Sequence, residues 1–84
     1  MPYIKKESRE KFDSLLEEIS VQIHNEGELN YVITKLLHAQ LEIQGLKYST
    51  INSLMGTMDC ASREFYRMVA VPYEEEKRKF NGDI

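Results

Sequence analysis

With one cysteine, Cys60, the chain can form no internal disulfide. It has only two histidines, His24 and His38, so a tetrahedral zinc site would need carboxylates to complete it, and no metal or cofactor is expected. Long apolar runs are absent: the longest span a few residues, against the roughly 20 that cross a bilayer. The opening segment, Met1 to Glu10, is dense in charge and lacks the apolar stretch of a secretory signal. One unpaired thiol and four oxidisable methionines agree with that, and the expected location is a reducing cytoplasm. An excess of basic residues is missing too. Eleven Lys and Arg against 14 Asp and Glu give a formal charge of −3, which argues against tight binding to a long nucleic acid but leaves a small anionic ligand open.

What is present is a globular balance of 42% hydrophobic and 30% charged residues over 84 positions, enough for one domain and too few for two cores. A core this small leaves little net stability, and of the usual reinforcements only a partner subunit is available. No internal repeat or low-complexity tract divides the chain.

The apolar periodicity is helical throughout. After an arm at 1–7, Phe12, Leu15, Leu16, Ile19 and Ile23 recur at intervals of three and four, which predicts a helix over about 8–24 with Ser8 as its N-cap. Asn25-Glu26-Gly27 breaks the pattern, because Asn and Gly tolerate the left-handed conformation that ends helices. A second helix, about 28–44, carries Leu29, Val32, Ile33, Leu36, Gln40 and Ile43 on one side. Leu37 and Leu41 widen its apolar arc beyond what one neighbour covers, and Gly45 closes it. Ser49 is the expected N-cap of a third helix over 49–71, with Ile51, Leu54, Met55, Met58, Ala61, Phe65 and Val69 in period. Pro72 is expected to stop or kink that helix. A short fourth one over 73–80 follows, with acidic residues early and basic ones late, as the helix dipole prefers, and Asn81-Gly82-Asp83 ends it. The predicted fold is all-α: one domain over 1–84, a small antiparallel three-helix bundle with a short fourth helix or tail after Pro72.

Four stretches together carry a resemblance: YIKKESREKF at 3–12, GELNYVIT at 27–34, YSTIN at 48–52 and EFYRMVAVPYEEEKRKFNGDI at 64–84. They resemble a family of short uncharacterised proteins common in bacteriophage and bacterial genomes, whose members typically end in Pro-Tyr-Glu-Asp-Lys-Lys…Glu-Asn-Gly-Asp-Val. This chain departs from that pattern at Glu75, Phe80 and Ile84, where Asp, Glu and Val are usual. The resemblance implies a phage or prophage origin and carries no activity with it.

Two constellations stand out. On the third helix Asn52, Gly56, Asp59, Arg63 and Arg67 lie near one line, opposite the apolar stripe. Arg63 and Arg67, with Tyr66 to stack and Asn52 to donate or accept, could clamp an anion; the plainer reading is a solvated, self-paired face with a glycine at a helix crossing. Tyr31 falls roughly opposite Leu29 and Ile33, and with Leu37, His38 and Leu41 it marks a candidate interface, or else packing under the arm. Cys60 is read as a small buried hydrophobe and His24 as a cation at a helix C-terminus. Glu26, Glu28, Asp59 and Glu64 form no recognisable acid–base pair, and no catalytic residue is assigned.

The leading expectation is a phage or prophage accessory protein that acts by binding, oligomeric, and an adaptor or inhibitor of a host protein. One alternative is a sponge that sequesters a small nucleotide-type signal. Another is an accessory enzyme of nucleotide metabolism.

Overall fold

The structure, a computed structural model, describes residues 4–83. Pro2 and Tyr3 of the expected arm, and Ile84, lie outside the described residues. Every regular element among the described residues is helical. Backbone contacts divide the chain into two units, Met1–Ile43 and Gln44–Ile84.

The first unit opens with a 3-10 turn, Lys6–Arg9, which runs into α1, Glu10–Ser20. Ser8 is therefore not the cap: it lies within the turn, and its N–H donates to the Lys5 carbonyl at 2.9 Å. The stripe Phe12, Leu15, Leu16 and Ile19 falls within α1, whereas Ile23 falls beyond it. The helix stops about a turn earlier than its apolar period suggests, and the reason lies downstream. Asn25 serves as the N-cap of α2, Glu26–Gln44, its Oδ1 accepting the Glu28 N–H at 2.9 Å. Glu28 reaches back to accept the His24 N–H at 2.8 Å, a reciprocal exchange that satisfies two backbone donors at the helix entrance. To present Asn25 in this way the chain must leave α1 first. It does so through tightened turns in which Gln22 and Ile23 donate to Ile19 and Ser20, while the Gln22 amide covers the Glu18 carbonyl. The expected left-handed break at Asn25 is thus replaced by a cap, and among the described residues no non-glycine has positive φ. His24 lies beyond the end of α1, off the last turn where the sequence reading sets it. Gly45, with φ of 96°, closes α2 as its position predicts.

In the second unit α3 spans Tyr48–Phe65, a π-turn Tyr66–Ala70 follows, and α4 spans Val71–Asn81. Lys47, extended at φ −147° and ψ 159°, holds the cap position without a side-chain hydrogen bond, so Ser49 lies inside the first turn. Pro72 neither stops the helix nor separates a fourth one from the third: helical structure is continuous over 48–81. Proline lacks the N–H that would bond four residues back, and its ring crowds that carbonyl. The turn before it is one residue wider, with the Val71 N–H donating to the Tyr66 carbonyl five residues back, and Pro72 falls in the first turn of the segment that resumes. Gly82, φ 79°, ends α4 with its N–H on the Arg78 carbonyl at 2.9 Å.

No apolar side chain among the described residues is buried; Thr50, 5% exposed, is the one residue that is. Ile23, Val32, Ile33, Leu37 and Leu41 in the first unit, and Leu54, Met58 and Ala70 in the second, are half-buried. Within the first unit α1 does not pack along α2.

Candidate functional site

The polar face of α3 is built on carboxylates of its own helix. Arg63 Nε meets Asp59 at 3.1 Å one turn back, and Arg67 donates to Glu64 three residues back. The hydrogen bond from Arg67 holds the Glu64 carboxyl below its ordinary value of 4.5. Tyr66 donates its hydroxyl to Glu74 Oε1 at 3.2 Å, a hydrogen bond that spans the π-turn. Asn52 stands apart: eleven residues before Arg63, it lies about 16 Å away along the axis. The structure therefore brings Arg63, Tyr66 and Arg67 onto neighbouring turns, each engaged with a carboxylate, and leaves Asn52 out of any shared small site. Beside them Gly56 faces open space, with nothing within 4 Å of where a Cβ would stand. No described residue makes the close approach that would explain this glycine.

Cys60 is exposed, not buried. At 100° per residue it falls about 140° from Phe65, which puts it on the polar side of α3. Among the described residues no group of three or more His, Cys, Asp or Glu could hold a metal. None of their helices is long and apolar enough to cross a membrane. The acidic-then-basic run of α4 pairs with itself, Arg78 meeting Glu75 at 3.1 Å and Asp83 at 2.7 Å, and Lys79 meeting Glu76 at 3.8 Å.

In the first unit the residues marked as an interface divide. Tyr31 is exposed, and the Lys35 ammonium sits 5.9 Å from its ring centre. His38 is exposed as well, while Leu37 and Leu41 are half-buried. Tyr31 also lines an open groove of about 420 Å³ where the end of α1 meets the start of α2, with Ile19, Ile23 and Val32 as apolar walls and Gln22, Asn25 and Glu28 among the polar ones. The cap at Asn25 positions this groove, because it fixes the direction in which α2 leaves the turn.

The pattern of one described family, a domain of unknown function (DUF6899), matches residues 1–84. The chain belongs to the DUF6899 family. Neither a curated protein nor a solved structure matches this DUF6899 chain.

Proposed function

We propose that this DUF6899 chain acts by binding: an oligomeric accessory protein of phage or prophage origin, working in the cytoplasm as an adaptor or inhibitor of a host protein. The observation that carries the reading is that no apolar side chain among the described residues is buried. Large apolar side chains stand open on every helix, including Phe12, Leu15 and Leu16 on α1, Leu29, Tyr31, Leu36 and Ile43 on α2, and Phe65, Tyr73 and Phe80 on the helix over 48–81. Full burial of one such side chain contributes about 1.5–3 kcal/mol, so an isolated chain forgoes the term that ordinarily dominates folding. Association supplies it, and the antiparallel bundle that the periodicity predicts is the natural form for the associated state. Soluble monomers rarely expose contiguous apolar area on this scale unless it meets a partner.

Native mass spectrometry of protein purified gently from expressing cells tests this. The expected species is an oligomer or a complex with a second protein. A monomer that unfolds cooperatively, with its tyrosines rigidly packed by near-UV circular dichroism, would count against it. A small anionic passenger on the chain would instead favour the sponge and direct attention to Arg63, Tyr66 and Arg67.

A further inference from the structure

The apolar stripe of α3 has a more regular spacing than an ordinary amphipathic helix requires. Ile51, Leu54, Met58, Ala61 and Phe65 follow one another at intervals of three, four, three and four, the heptad spacing of a helix–helix seam. Measured round the helix from Phe65, they lie within about 40° on either side. Beyond the π-turn the next large apolar side chains are Tyr73 and Phe80. In an unbroken α-helix these would sit about 80° and 60° from Phe65, off the seam. The π-turn takes up one extra residue and turns everything after it back by about 100°. Tyr73 and Phe80 then fall about 20° and 40° from Phe65, within the stripe. The hydrogen bond from Tyr66 to Glu74 reports the same phase, since residues eight apart come onto one line only when a residue is taken out of step.

We propose that the π-turn is a register device, and that the seam it aligns, from Ile51 to Phe80, is covered by the same helix of a second copy of this chain. The proposal rests on the binding reading above and names the partner for one of its faces. Phe65, Tyr73 and Phe80 are 67%, 63% and 80% exposed. At about 200 Å² for each ring they leave about 400 Å² open per chain. A stable interface needs about 800 Å² from each partner, and in homodimers about two thirds of that, or about 500 Å², is apolar. The three rings supply most of it, and Ile51 and Val69, both exposed, supply more.

Charge also favours a copy of the chain itself. Glu74 and Glu76 flank the seam on α4, and Lys77 stands within it, its ammonium 5.5 Å from the Tyr73 ring centre. Two such helices running parallel and in register about a two-fold axis set the lysine of each beside the acidic flanks of the other.

The test is sedimentation velocity with native mass spectrometry on the full chain and three variants: a deletion of Met68, which removes the extra residue, the double substitution Tyr73→Ala/Phe80→Ala, and Lys79→Ala on the opposite side as control. Far-UV circular dichroism checks that each keeps its helix. The second variant alters only exposed side chains, so it remains informative if the deletion does not fold. The expected result is a homodimer whose dissociation constant rises at least about tenfold in the first two variants and is unchanged in the control. A dimer that neither variant weakens overturns the seam and leaves the binding reading standing. A wild-type chain that stays monomeric at every concentration overturns the seam, and if it also unfolds cooperatively the binding reading falls with it.

Discussion

The cap at Asn25 can be removed without touching any apolar contact. Asn25→Ala deletes the acceptor of the Glu28 N–H, and with it the reason for Glu28 to hold the His24 N–H. Loss of an N-cap side chain costs about 1 kcal/mol, within a range of about 0.5–2. For a domain of this size that lowers Tm by about 4–8 °C. Substitution by Ser should restore most of the loss, and by Gly all but a few tenths of a kcal/mol, since both suit the cap position. The neighbouring Gly27 supplies an internal comparison: a Cβ there would stand 3.3 Å from Asn25 Oδ1, the capping oxygen itself. Gly27→Ala should therefore return less than the roughly 1 kcal/mol that alanine gains over glycine in a helix, because part is lost in displacing the cap. Thermal unfolding followed at 222 nm, at one fixed protein concentration so that association does not move the midpoint, measures all four variants. If Asn25→Ala unfolds within about 0.2 kcal/mol of wild type while Asn25→Ser does not differ from it, the cap is not what ends α1 early.

Gly56→Ala adds a methyl group to open space and should stabilise the isolated chain by about 1 kcal/mol. If the same change weakens self-association in sedimentation experiments, that face is a crossing point between copies. Glu64→Gln removes the carboxylate that Arg67 meets three residues back. Because the folded Glu64 carboxyl lies below 4.5, its stabilising contribution is present above that pH and lost as pH falls through the lowered value. The difference in helicity between Glu64→Gln and wild type should therefore be present at neutral pH and vanish in acid. Exposed Cys60 should react with a thiol reagent in the native protein at close to the rate of the unfolded chain; strong protection would show that the polar side of α3 is covered in solution.

The helical class could be read directly from the intervals of three and four, and the glycines at 45 and 82 end their helices where the pattern stops. Other features depended on choices that periodicity does not record. Ile23 continues the stripe of the first helix in sequence, yet Asn25 faces two competing roles, a helix end or a helix start, and hydrogen bonding to Glu28 selects the second. Pro72 reads as a stop because an α-turn cannot accommodate it, but a wider turn can, and nothing in the local composition announces one. The nearest signal is that Tyr73 and Phe80 are out of step with Phe65 by one residue. Cys60 reads as a small buried hydrophobe next to the apolar stripe, although its angle round the helix puts it on the polar side. For the anion constellation, the self-paired reading already sets Arg63 one turn from Asp59, whereas the bonds from Arg67 to Glu64 and from Tyr66 to Glu74 are visible only in the structure.

The π-turn also divides mutational tolerance in an unusual way. The phase of the turn is set by the number of residues it holds more than by which they are. A single insertion or deletion there leaves every downstream residue helical but re-aims all of them. Between Phe65 and Tyr73 the length of the chain should therefore be held more strictly than the identity of its residues, Tyr66, Arg67 and Val69 excepted.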